Sequence, residues 1–302
     1  VKYSFAEVTI GSVSPPMIVL LAVITCAYAR RAHTLAKTPR SVSAARQISF
    51  YSSVVILIAI PLSPLGSSDQ NSFVSHMVEH LMIGDLGALL MVLGLTGPLI
   101  QPLLKINVIA ALRPLTHPVF AALFWILNMY VWQIPFLFEA ALNNDVLHVF
   151  QHICYFSAGF NVWMALFGPL PKPAWFGNAA KLMFIAGMWA ADMVLGNVFV
   201  FSNSAYYDQY LGADNMWGFS PAADQSVAGA VMMGVDTVIA FVLLAWLFFK
   251  AASEGEQSQE LIELATEHGV ELTDERSARA AAAGTTDRLR ERIVSGLDKP
   301  DN

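Results

Sequence analysis

Residues 73–95 read FVSHMVEHLMIGDLGALLMVLGL. The run is apolar from end to end apart from Ser75, His76, Glu79, His80 and Asp85. About 20 mostly apolar residues cross the ~30 Å hydrocarbon layer of a bilayer as one helix. This segment is long enough, and it stops where a helix should stop. Gly97-Pro98 and Gln101-Pro102 follow it, and proline cannot continue a helix. The segment therefore reads as a membrane span with two histidines near its start.

The rest of the chain agrees with that reading. Of 302 residues, 56% are hydrophobic and 13% charged, with a mean hydropathy of +0.54. A soluble domain carries about 25% charge. Six further runs have span-like length and composition: Val13 to Ala32, Ile48 to Leu65, Pro118 to Leu137, Val146 to Phe167, Ala179 to Phe201 and Ser226 to Phe249. The expected fold is an all-α, polytopic seven-transmembrane-helix bundle over residues 1–250. Residues 251–302 are polar, with Glu and Arg at helical spacing, and read as a cytoplasmic tail of one or two short helices or a partly disordered solubilising segment. The first run lacks a basic flank and a small-residue cleavage site, so it is expected to be a retained span. No basic patch points to nucleic acid. Cys26 and Cys154 lie in apolar runs without CxxC spacing and read as structural thiols.

Basic residues set the expected orientation. Arg30, Arg31, Lys37, Arg40 and Arg46 follow the first run, Lys105 and Arg113 the third, and Lys172 the fifth; Lys181 opens the sixth and Lys250 closes the seventh. The alternate loops 66–72, 138–145 and 202–225 hold no Lys or Arg but carry Asp69, Glu139, Asp145, Asp208, Asp214 and Asp224. Lys2 is the one base on the acidic side. The N-terminus is therefore expected outside, the C-terminus in the cytoplasm, and the chain in the plasma membrane.

In that frame His76 and His80 lie at the outer end of span three, and His148 and His152 at the outer end of span five. Spacing i, i+4 puts each pair on one helix face, about 6 Å apart along the axis. Span seven begins at the same depth with Asp224-Gln225. Four imidazoles and a carboxylate can thus converge from three helices. Neutral imidazole suits zinc, copper, iron and nickel, and a carboxylate can ligate or orient a ring. Other readings stay open. His76-Met77-Val78-Glu79-His80 matches H-x-x-E-H, in which Glu79 would be the base of a zinc hydrolase. Haem is a further candidate, although pairs four residues apart serve one haem at most. Met77 sits about 100° round the helix from His76 and reads as packing. Interfacial or packing roles account for single histidines such as His33 and His117, while His268 falls in the tail.

Asp85, Asn128, Asn161, Asp192, Asn197 and Asp236 are costly in hydrocarbon and should face the bundle interior, as hydrogen-bonding glue or a proton or ion path. Asp85 lies five residues past His80, about 140° off its face on an α-helix, and so is not expected beside it.

HMVEHLMIGDL (76–86), HVFQHICYFSAGFNVW (148–163) and DQSVAGAVMM (224–233), in this order within seven spans, resemble the CtaG family of membrane assembly factors for caa-type cytochrome c oxidase. The resemblance covers roughly residues 10 to 250 and leaves the tail outside it. It implies a non-enzymatic role in maturing a haem–copper oxidase by handling copper, with oxidase subunits as partners. The family's histidine and aspartate motifs fall on His76, His80, His148, His152 and Asp224. Three classes of function follow: a copper-handling assembly factor, a structural accessory subunit of a respiratory complex without obligatory metal, and a membrane hydrolase or haem protein. Oligomeric state and the copper centre served are not set by the sequence.

Overall fold

The computed structural model describes residues 15–107, 113–213, 215 and 217–295. Lys2 and Asp214 lie outside the described residues, as does the side chain of Arg113. The described residues are helical with no strand, and they form two compact units that meet between Val238 and Ile239.

A helix lies within each of the seven apolar runs, although the one in the second run ends at Ala59, short of Leu65, and Val13 and Ser14 lie outside the described residues. The helices are α1 (Pro15–Leu35), α2 (Ala44–Ala59), α3 (Phe73–Leu81) continued by α4 (Ala88–Gly94), α5 (Pro118–Trp132) with α6 (Pro135–Leu142), α7 (Asp145–Phe167), α8 (Asn178–Val200) and α9 (Pro221–Glu267). By length and composition four are able to cross a membrane: Met17–Leu35, Phe73–Gly94, Asn178–Val200 and Pro221–Glu267. The α5–α6 pair makes a fifth if it counts as one span. The other two runs fall short for identifiable reasons. α2 has only 16 residues. α7 has 23, but His148, Gln151, His152 and Asn161 lower its hydropathy.

Two of the expected spans are interrupted. Pro135 has no N–H and its ring would clash with the Val131 carbonyl, so α5 stops at Trp132 and α6 leaves at 78°. The break leaves the Gln133 carbonyl to accept from Tyr207 Oη at 3.1 Å, and the residue is buried there. In the other, α3 and α4 are joined by a π-helical stretch, Met82–Gly87. Such wide turns leave carbonyls without their usual partners and occur mostly at functional positions. Here a neighbour supplies the missing bond: Ser53 Oγ on α2 donates to Gly87 O at 2.6 Å.

The wide turn is also where α7 comes closest. A Cβ on Gly159 would overlap the Gly84 carbonyl, and one on Gly84 would lie 3.4 Å from Tyr155 O. Glycine at 159 lets the two backbones touch, the contact that small residues provide between helices in lipid. On the other side of α4, Tyr28 of α1 stacks on Phe50 of α2 at 3.7 Å and donates to Gly94 O at 3.2 Å. Leu21, Leu57, Ile83 and Met91 complete that core. Val23, Val55, Leu123 and Val146 are among the apolar side chains left on the surface, where a bilayer would be their solvent.

The second unit holds the last part of α9 with α10 (Asp274–Ala282) and α11 (Thr286–Val294). The tail thus carries two short helices, and the boundary expected from composition at 250/251 falls inside α9. Gly269 and Gly284, at φ 65 and 63, end α9 and α10 in the left-handed conformation glycine takes without strain. Leu261, Ala265, Val270, Ala280, Leu289 and Ile293 close a small core, and Arg290 pairs with Glu260 at 2.9 Å.

Replacing Gly159 by Ala should force α7 away from the wide turn and cost about 1–3 kcal/mol, the usual penalty of overpacking. Thermal unfolding of the detergent-purified chain measures it. An unchanged melting temperature would mean that the two backbones do not approach this closely.

Candidate metal centre

Helices α3 and α7 start in the same way. Ser72 caps α3, its hydroxyl accepting from Ser75 N at 3.3 Å. Asn144 caps α7, its side chain accepting from Leu147 N at 3.0 Å. Each first histidine lies four residues past its cap and closes the first backbone turn, His76 N to Ser72 O at 3.2 Å and His148 N to Asn144 O at 2.9 Å. Equal distance from equal caps puts both pairs at the same level, and the glycine contact below brings them face to face.

The four rings form a quadrilateral. Centroid separations are 4.3 Å for His76–His80, 5.4 Å for His76–His148, 4.4 Å for His148–His152 and 5.4 Å for His80–His152. His76, His80 and His148 each offer a nitrogen within 4.8 Å of the others'. His152 stands at the fourth corner, outside that group of three. His76 is 0% exposed and His80 and His152 are buried, whereas His148 is partly open. Both nitrogens of His76, both of His80, and Nε2 of His148 and of His152 have no hydrogen-bond partner. Leaving a buried polar group unpaired costs about 1–3 kcal/mol. A cation held by the rings would remove that cost, so the donor set fits a metal that prefers imidazole.

The carboxylates beside the rings are Asp69 and Glu79. Asp69 Oδ2 lies 3.6 Å from His148 Nε2, and Glu79 Oε1 lies 4.0 Å from His152 Nε2. Burial pushes the Asp69 carboxyl up to about 6, opposed in part by the backbone N–H groups of Asp69 and Gln70. Tyr210 Oη donates to the Asp69 carbonyl at 2.8 Å and so fixes this turn.

Asp224 occupies a different place from the one the sequence suggested. Its carboxylate receives Ser72 Oγ at 3.0 Å, Phe73 N at 2.5 Å and Val74 N at 3.4 Å. It is 1% exposed. These are free N–H groups of the first turn of α3, where a negative charge also meets the positive end of the helix dipole. With both oxygens engaged there, Asp224 anchors α9 to the start of α3 and is not one of the three clustered donors. It positions the helix that carries His76 and His80.

Described residues after α8 bind the helices around the site. Tyr207 Oη donates to Gln133, with Oε1 at 2.8 Å. Asp208 N donates to Glu139 Oε1 at 2.6 Å, and Trp217 Nε1 to Ser75 Oγ at 3.3 Å. Phe73 packs against Phe138, Phe199 and Tyr207 at centroid distances of 5.5, 5.1 and 5.0 Å, and His76 against Phe138 at 4.8 Å.

Two residues beside the histidines escaped the sequence reading as members of one pattern. HMVEH and HVFQH both place a long polar side chain just before the second histidine. Glu79 and Gln151 are both buried, and Glu79 Oε2 and both polar atoms of the Gln151 side chain have no hydrogen-bond partner. The repeat was present in the sequence. Asp69 was not findable there, since only the loop's path brings it to His148.

The chain is thus a helical protein with several helices long and apolar enough to cross a membrane and a cluster of imidazoles at the capped ends of two helices. A family model described as cytochrome c oxidase caa3 assembly factor (Caa3_CtaG) matches residues 26–254, and the chain belongs to that family. No curated protein and no solved structure matches it.

Replacing Asp224 by Ala should lower stability by about 1–3 kcal/mol, because Phe73 N and Ser72 Oγ lose a buried acceptor. Metal bound per folded chain should stay unchanged. Thermal unfolding and elemental analysis of the folded fraction test both halves. Loss of metal from a fully folded variant would make Asp224 a ligand instead.

Proposed function

We propose that the protein is a seven-span plasma-membrane assembly factor that holds copper as cargo for cytochrome c oxidase, at an imidazole cluster facing outward. The observation that carries this is the convergence of His76, His80 and His148, the first two buried and the third partly open, with ring nitrogens that have no hydrogen-bond partner. His152, Asp69 and Glu79 would orient and balance the site. Copper supplies its own ligand-exchange chemistry when bound. The chain's part is to present imidazoles strong enough to hold the ion and exchangeable enough to give it up, with the partly open His148 as the side of access. Oxidase subunits are the partners this reading requires. The family membership supports the assembly role, which is non-catalytic.

The orientation rests on where the cations lie. Arg46 Nη1 donates to Leu93 O and Leu95 O at 3.0 and 2.8 Å, at the far end of α4. Arg31 donates to Pro98 O at 3.2 and 3.1 Å. Lys172 Nζ donates to Leu166 O and Gly168 O at the far end of α7. The histidines stand at the N-terminal ends of these helices and the bases cap the C-terminal ends, where positive charge also suits the dipole. Basic residues favour the cytoplasmic side, so the histidines face out. Seven spans follow if α2, α7 and the bent α5–α6 pair each cross.

Elemental analysis of the chain purified in mild detergent tests the reading against a His76→Ala/His148→Ala variant. The expected result is copper in the parent, lost in the variant with helical content intact. Absence of copper from the parent after loading with Cu(I) and with Cu(II) would sink it and favour a structural subunit. A haem absorbance band would point to the redox alternative.

A further inference from the structure

Below the imidazoles lies a second cluster of possible donors. An internal cavity is lined by Met77, His80, Leu81, Asp85, Trp125, Met129, Gln133, Tyr155 and Met232, with about 10 Å³ for the centre of a water-sized occupant. That is room for about one such occupant. Met77, Met129 and Met232 come from α3, α5 and α9 and are all buried. Methionines from three helices thus line one small space. His80 is shared, since it belongs both to the imidazole group and to this wall, and its ring stacks on Tyr155 at 4.1 Å.

Local geometry explains how these groups meet. Met77 and His80 are three residues apart on α3 and so share a face, although Met77 and His76 do not. Asp85 is five residues past His80. On a regular α-helix it would point elsewhere, but i→i+5 bonding over Met82–Gly87 adds a residue to the turn. Five residues then make about one turn, and Asp85 joins His80 in lining the cavity, contrary to the expectation from α-helical spacing. Gln133 Nε2 reaches Met77 Sδ at 3.5 Å and Tyr155 Oη at 3.3 Å, fixing the upper wall from the helix break.

We propose that this chamber is a second station for a soft monovalent cation, Cu(I), one step deeper than the imidazoles. The inference rests on the copper-handling reading. Thioether sulfur selects Cu(I) over harder ions, and no Lys or Arg lines the cavity. A charge inside a membrane is costly unless neutralised. Asp85 is the one acidic side chain that lines the cavity; by giving up its proton it balances one monovalent cation, whereas a divalent ion would keep a net charge. His80 is the shared wall across which an ion moves from nitrogen to sulfur ligands without meeting lipid.

The test is copper K-edge X-ray absorption on the full chain, loaded anaerobically with Cu(I) in detergent. A Cys26→Ser/Cys154→Ser parent removes thiol sulfur from the signal. The expected parent spectrum contains both nitrogen and sulfur scattering. Met77→Leu/Met129→Leu/Met232→Leu, which conserves volume, should abolish the sulfur component and leave the nitrogen one. His76→Ala/His148→Ala should weaken the nitrogen component, leaving the contribution of His80, and keep the sulfur one. Selenomethionine labelling of the parent gives a second reading that needs no methionine substitution, because copper–selenium scattering should appear. Copper bound with nitrogen or oxygen neighbours only, or sulfur scattering that survives the methionine substitutions, would overturn the chamber while leaving the imidazole site standing. Sulfur scattering without nitrogen would support the chamber and refute the imidazole cluster. A parent that binds no copper overturns both.

Discussion

The contact between Gly159 and Gly84 is the constraint on which the site depends. Two helix backbones touch there, and everything above that point on α3 and α7 is set by helical geometry. His80 lies four residues above Gly84 and His152 seven above Gly159, so the contact acts as a hinge pin for both pairs. The caps at Ser72 and Asn144 then fix where each helix begins. Asp224 adds a tie from a third helix, through hydrogen bonds to residues distant in sequence. None of these groups offers a free ligand atom to the cluster. Together they determine whether four imidazoles, a costly set to bury, stand close enough to share an ion.

Much of this was legible in the sequence because hydropathy and i, i+4 spacing are local. A helix lies within each of the seven apolar runs, and the two histidine pairs that counting residues set side by side do face each other. The less visible features depend on departures from ideal helices or on the path of loops. The 78° bend at Pro135 was signalled by the proline, yet apolar composition continued across it and hid the break. The π-helical stretch over Met82–Gly87 has no reliable sequence mark, and a regular α-helical wheel misplaced Asp85. Asp224 was recognised as important from its depth, but depth alone does not separate a ligand from a helix anchor. That distinction needed the free N–H groups of Phe73 and Val74 in place.

Membership of the caa3 assembly factor family and the geometry bear on different questions. The family says what process the chain serves. The geometry says which atoms are available for it. In the described residues His76, His80 and His148 are brought together, with Glu79 and Asp69 behind them. The H-x-x-E-H motif acquires a different sense in this setting. Glu79 approaches His152 on the facing helix, so its carboxylate belongs to the space between α3 and α7. The corresponding position in α7 is Gln151, an amide that cannot act as a general base. The repeated pattern is therefore better explained by two facing helices that share a polar layer than by a hydrolase motif with a spare histidine pair.

The energetics of that layer argue for a ligand. Unpaired buried polar atoms cost about 1–3 kcal/mol each, and folded domains are stable by only about 5–15 kcal/mol. The six unpartnered ring nitrogens of the cluster, with Glu79 Oε2 and the Gln151 amide beside them, are a burden on that scale. A protein selected for stability alone would be better served by leucine and phenylalanine at these positions. The surrounding aromatic packing, Phe73 on Phe138 and Tyr207 above them, keeps the layer rigid instead of letting the rings turn toward water. Imidazoles packed in this way would bind a cation with little reorganisation, and on the reading proposed above such a site would hold an ion while remaining able to pass it to a ligand set that encloses it more completely.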